Sequence, residues 1–167
     1  GIVAAGSSRS GGDKFNEAII TYVRKIHNIV IGERMAEDIK IKLGSAVAAN
    51  PKKTVEVKGR DAISGMPKTI IVDSNEVTEA ISLVLGAIIA TIKQVLEQTP
   101  PELSSDIIDR GIVLTGGSSY LRNLDRYISS QIGVSAHVCE DPMQSVVYGT
   151  GMALENIDNW RRIVQRR

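Results

Sequence analysis

Along "DKFNEAIITYVRKIH" apolar side chains recur three and four positions apart, and Phe15, Ile19, Tyr22, Val23 and Ile26 mark one face of a helix. Asp13 is typed for its N-cap, because a carboxylate there accepts an orphan backbone N–H. A second helix fits "GERMAEDIKIKLGSA", with Met35, Ile39 and Leu43 on one side and Gly44 ending it in the left-handed conformation. "KTVEVKGRD" and "PKTIIVDSN" are β-branched or alternating stretches joined by "DAISGMP", which predicts an antiparallel hairpin. From Ser74 the helical period returns through Val77, Ile81, Leu85, Ile88, Ile92 and Leu96 until two prolines stop it. The last third alternates strand and helix: "GIVLT", "SYLRNLDRYISSQIG", "VSAHVC" and "DPMQSVVYGTGMALEN". The unbroken apolar core of "GIVLT" predicts a strand covered on both faces, as in a parallel sheet. The opening "GIVAAGS" reads as a buried strand at a sheet edge, which leaves unpaired backbone groups if its neighbours are absent.

This order predicts an α/β protein. Residues 1–28 and 100–155 form one sheet-bearing unit, 29–99 form a smaller helix–hairpin–helix insertion, and 156–167 form a basic tail. A chain of 167 residues is long enough to bury a core, since a domain of this size hides roughly 70% of its unfolded surface. Apolar residues at 43% and charged residues at 23% argue against disorder. A net charge of +1 gives no general attraction to nucleic acid, so no nucleic-acid partner is expected. The single cysteine, Cys139, rules out an internal disulfide and fits the cytoplasm. The apolar run at 80–92 is shorter than the ~20 residues that cross a bilayer and reads as a core helix. The start at Gly1, with neither methionine nor a basic-then-apolar leader, reads as a trimmed piece without a secretory signal.

Two double glycines, Gly11–Gly12 and Gly116–Gly117, fall where a strand meets a helix. At such junctions in open α/β sheets, unpaired N–H groups and the helix dipole favour an anion, and the absent Cβ lets a ligand approach the backbone. Neither matches GxGxxG or the GxxxxGK[ST] phosphate loop. Taken singly, each is more plainly a tight turn.

Taken together, "GGDKFNEAIITYVRKIHNIVIGERMAEDIKIKLGSA", "KGRDAISGMPKTIIVDSNEVTEAI", "QTPPELSSDIIDRGIVLTGGSSYLRNLD" and "EDPMQSVVYGTGMALEN" resemble consecutive segments of MreB, the rod-shape-determining bacterial actin. The resemblance implies the second lobe of an actin-like (ribonuclease H-like) fold and a filament-forming protein that binds ATP or ADP with Mg. It implies that Gly116, Gly117 and Ser118 contact the nucleotide, that Glu37 accepts from ribose hydroxyls, that Lys40 lies along the base, and that Gly12 and Asp13 sit near the phosphates. Gly149 and Gly151 would allow close helix packing at a hinge. Ser118 stands where many members have a third glycine, which restricts the backbone there. The family's phosphate loops, water-positioning glutamate and most Mg ligands would precede Gly1, so this chain alone is expected not to turn over ATP. A chaperone-type or sugar/acetate-kinase-like ATPase of the same superfamily is the alternative.

Other signals are weaker. Glu37 and Lys40 also fit a solvated i, i+3 pair of about 0.2–0.5 kcal/mol. His137 and Cys139 share a strand face without a further ligand to complete a metal set. His27 places a cation at a helix C-terminus, where it suits the dipole. In the tail, Trp160 is flanked by Arg161, Arg162, Arg166 and Arg167, a pattern suited to an anionic membrane surface. Four arginines supply about 4 kcal/mol, so useful binding needs the many copies a polymer provides. The resulting expectation is a cytoplasmic protein, peripheral at the inner face of the cell membrane.

Overall fold

The longest helical period in the sequence becomes an element on which several others pack. In a computed structural model, which describes residues 2–157, helix α3 (Ser74–Glu97) buries Val77, Ile81, Leu85 and Ile89. Against it lies α1 (Gly12–His27), through Phe15, Ile19 and Val23. By length and composition alone α3 is long and apolar enough to cross a membrane; the stripe of Val77, Ile81, Leu85 and Ile89 is covered by protein, while Leu83 on the other side is exposed. Its start is fixed by Asp73, which accepts from the N–H groups of Asn75 and Glu76, while the Glu76 side chain accepts from the Asp73 N–H. Two side chains of α1 reach across to the same end of α3. His27 Nε2 lies 2.6 Å from Glu76 Oε1, and the Tyr22 hydroxyl donates to Glu79 at 3.0 Å. Burial and that carboxylate push the Tyr22 phenol up to about 12.

Strand β1 (Ile29–Val30), helix α2 (Glu33–Leu43), and strands β2 (Thr54–Asp61) and β3 (Pro67–Asp73) follow α1. The sheet order is β1-β2-β3, antiparallel throughout, with Thr54 opposite Asp73 and Arg60 opposite Pro67. Side chains of β2 alternate between faces, so Val57 is buried while Glu56 and Lys58 are exposed. The turn beyond β2 is held by Asp61, whose carboxylate accepts from the backbone of Ile63 and Ser64 and from Lys68. Those donors hold the Asp61 carboxyl far below the usual carboxylate range.

After α3, Pro101 opens helix α4 (Pro101–Arg110), where its missing N–H is no loss. Strand β4 (Ile112–Leu114) then pairs in parallel with β5 (Ala136–Val138). Between them lie a 3-10 turn, Gly117–Tyr120, and helix α5 (Leu124–Ile132), which buries Leu124 and Ile128. Helix α6 (Ser145–Glu155) closes the described chain.

Several expectations change. Residues 2–8 form no strand among the described residues, because a strand exists through its ladder and none pairs with them; Ile2 and Val3 stay exposed. Asp13 is inside the first turn of α1, and Gly11 is the N-cap, without a side-chain cap. Gly44 ends α2 at φ −55, not in the left-handed region. Val113 of β4 is 55% exposed, so that strand is covered on one face only within this chain. The helix expected from Ser119 starts at Leu124, after the 3-10 turn. A Cβ at Gly149 or Gly151 meets nothing within 4 Å, so these glycines serve no close packing among the described residues. The basic tail, including Trp160, Arg161, Arg162, Arg166 and Arg167, lies outside the described residues.

The packing separates two neighbouring positions of α3. Ile81→Ala should lower unfolding free energy by about 2–5 kcal/mol in urea denaturation, because it empties a fully buried site. Leu83→Ala, at a position 86% exposed, should change it by less than about 0.5 kcal/mol.

Candidate functional site

A cavity of about 730 Å3 opens between the N-terminus of α1, one face of α2 and the segment after β4. Its wall carries Gly12, Asp13, Glu37, Lys40, Gly117 and Ser118. Six of the seven residues expected at a ligand site therefore border one cleft, although they come from three separate stretches of sequence. The seventh, Gly116, shapes the bend without lining the wall.

At Gly116 the backbone has φ +83 and ψ 168, a region open essentially only to glycine. The bend is fully bonded: the Gly116 N–H donates to Pro142 O at 2.7 Å, and its carbonyl accepts from the Ser119 N–H and hydroxyl. Gly117 follows, and a Cβ there would stand 3.0 Å from Met143 Sδ. Ser118 is not among the residues of positive φ, so the backbone at this place does not require a third glycine.

The opposite wall is α2, and its position relative to the bend is set by Arg122. The guanidinium donates to Gly44 O at 3.0 Å and Lys42 O at 3.3 Å, satisfying carbonyls at the end of α2 that have no helical partner. Ala46 N–H donates to Arg122 O at 2.8 Å, and Asn123 Nδ2 to the Ser45 hydroxyl at 3.1 Å. Gly44 is needed here for proximity: a Cβ would lie 2.3 Å from Lys40 O and 2.9 Å from Leu121 Cδ1.

Within the cleft, Glu37 and Lys40 are one turn apart on α2, and Lys40 Nζ donates to Glu37 Oε2 at 2.6 Å. The pair is more than a solvated surface contact, since the Lys40 side chain is only 16% exposed and also reaches Gly12 O at 3.4 Å. Asn16, buried on α1, donates to the same Glu37 oxygen at 2.8 Å. Lys40 first, then Asn16, holds the Glu37 carboxyl below the usual glutamate range, so it remains an ionised acceptor at neutral pH. Glu37 Oε1 has no partner among the described residues and is available to a ligand donor. At the α1 N-terminus, the N–H groups of Gly12 and Asp13 have no intrahelical acceptor and no side-chain cap covers them.

The sequence reading missed Tyr120, Leu121, Arg122 and Met143, which also line the cleft. The first three stand in "TGGSSYLRN", directly after the glycines, and a longer look along that stretch was the available signal. Phe15 and Ile41 complete the apolar part of the wall, and Asn16 supports it from behind.

The chain matches the MreB/Mbl protein family over residues 1–162. It is 47% identical over 158 residues to the cell shape-determining protein MreB of Escherichia coli K12, covering 95% of this chain and 46% of that protein. It is 45% identical over 157 residues to the cell shape-determining protein Mbl of Bacillus cereus ATCC 10987, covering 94% and 47%. A crystal structure of MreB5 of Spiroplasma citri bound to AMPPNP superposes with a TM-score of 0.91 at 31% identity, over 97% of this chain and 49% of that one; MreB5 has also been solved bound to ADP. The α/β fold is thus actin-like, and the chain spans about half the length of the curated relatives it matches.

The bend and a free helical position respond oppositely to one substitution. Gly116→Ala forces a side chain into a strained backbone and should destabilise by about 1–3 kcal/mol. Gly86→Ala, in open space on α3, should stabilise by about 0.5–1 kcal/mol. Paired urea titrations measure both.

Proposed function

The chain belongs to the MreB/Mbl family, and we propose that it is one lobe of an ATP-dependent bacterial actin-like cytoskeletal protein that polymerises into filaments and helps determine cell shape. The observation that carries the nucleotide part of this reading is the cleft. Residues from three separate stretches meet around about 730 Å3, within the roughly 300–1,000 Å3 typical of small-molecule sites.

The residues present suit an adenine nucleotide. An ionised Glu37 with one free oxygen accepts from the vicinal hydroxyls of a ribose. The poorly exposed stem of Lys40 and the side chain of Tyr120 offer apolar and aromatic surface to a base. Gly117 and Ser118, on the open side of the bend, let the ligand approach the main chain. The uncapped N–H groups of Gly12 and Asp13 face the anionic end, as helix N-termini do. A bound magnesium would screen phosphate charge. Its ligands are expected mainly outside this chain. Among the described residues the carboxylates lining the cleft are Asp13 and Glu37, with Glu37 tied to Lys40.

The uncovered surfaces agree with a lobe that meets another. Helices α4 and α6 bury no residue, and Val146, Val147, Tyr148, Met152 and Leu154 are exposed along α6. We retain the division into 1–28 with 100–155, an insertion at 29–99 and a tail at 156–167, with α3 touching both parts. Filament growth, a cytoplasmic location and a peripheral membrane contact through the tail arginines belong to the same proposal.

The test is calorimetric titration of the chain with ADP. Saturable binding is expected, and Glu37→Gln should weaken it about tenfold or more, the worth of a charge-assisted hydrogen bond. No saturable binding, or equal affinity in the Glu37→Gln variant, contradicts the reading.

A further inference from the structure

Asn16 is a polar intrusion in the buried face of α1. It lies next to Phe15 and one turn before Ile19, is only 5% exposed, and leaves its Oδ1 without a partner. The orientation of the carboxamide is dictated by its neighbour: reversing it would set two oxygens face to face at Glu37. Nδ2 must therefore point at Glu37 Oε2, and Oδ1 is left unpaired as the consequence. A leucine would fill such a site without an unmet acceptor, so packing alone does not account for an asparagine.

The hydrogen bond has a directional effect. Asn16 and Lys40 both donate to Oε2, one from α1 and one from α2. Together they hold the carboxylate plane between two elements and leave Oε1 as the free acceptor. Nearby charges on the cleft wall are Asp13 on α1, Lys40 on α2 and Arg122 beyond the 3-10 turn. None of these replaces the α1 side of the brace, since Asp13 has no donor to give and Arg122 is committed to Gly44 and Lys42 carbonyls.

We infer that Asn16 is a positioning residue that sets the preference of this cleft for ligands bearing a vicinal diol, by aiming Glu37 Oε1 at the two hydroxyls. This rests on the nucleotide reading above. It adds a determinant that never touches the ligand and acts through Glu37.

Two measurements test it. In the ligand-free chain, carbon-13 NMR of the Glu37 carboxyl should show its titration moving upward, toward that of an ordinary glutamate, in Asn16→Leu. With ligand, the ratio of affinities for ATP and 2′,3′-dideoxy-ATP should fall about three- to tenfold in Asn16→Leu, and Asn16→Leu added to Glu37→Gln should lower it no further. Asn16→Asp keeps the volume should the leucine variant fold poorly. It should lose the preference at neutral pH and regain it in acid, where the introduced carboxyl, once protonated, donates in place of the amide. A wild-type chain that prefers ATP while both variants keep that ratio at every pH overturns the inference alone. A wild-type chain that binds neither nucleotide overturns the reading of the cleft and this inference with it, even if the ligand-free titration moves as expected.

Discussion

The site depends on the clamp that ties the end of α2 to the segment following the glycine bend. A helix C-terminus leaves carbonyls unsatisfied, and here Arg122 supplies the donors while Ala46 returns a backbone bond to Arg122 itself. Contact this close requires Gly44, since any side chain there would strike Lys40 O and Leu121. With the clamp in place, Glu37 and Lys40 on α2 face Gly117 and Ser118 across a fixed gap. The large core beneath, built by α1 on α3, holds the third wall. The cleft is thus a by-product of satisfying a helix end.

Electrostatics in the cleft follow from the same arrangement. Lys40 is short of solvent and shared between a carboxylate and a carbonyl, so its charge is spent locally. Glu37 keeps its charge because the two groups donating to it favour the ionised form. The linkage sign is that of a depressed carboxylate. Its contribution to stability is present above the unfolded glutamate value of about 4.3 and is lost as pH falls through the lower folded value. At neutral pH the cleft holds an acceptor on α2 and bare amide donors at the start of α1, the pairing that a ligand with hydroxyls and negative charge needs.

The regular elements were readable because burial imposes a period. The helix of "GERMAEDIKIKLGSA", the hairpin around "DAISGMP" and the helix from Ser74 all follow from where apolar residues recur. Six cleft residues were named through family likeness and not through spacing, because glycines and an i, i+3 pair have ordinary structural uses. What escaped was either a short local signature passed over or an interaction with no local signature at all. The opening stretch lacks a pairing partner, Pro101 stops one helix and starts another, and the Asp73–Glu76 capping box was present in "DSNE" but unread. Arg122 and Asn16 act on residues 80 and 21 positions away, distances at which sequence pattern carries no information. Gly44 looked like a left-handed cap and instead marks a close approach, a distinction that requires the neighbour to be known.

The central claim is that three stretches remote in sequence form one receptor for one adenine nucleotide. Residue-resolved amide NMR of the chain during ADP addition tests it most directly. The account predicts that Gly12, Lys40, Gly117 and Ser118 shift together along a single saturation curve while Ser64, at the far hairpin turn, stays still. Shifts confined to one wall, or centred on the β2–β3 hairpin, would contradict it.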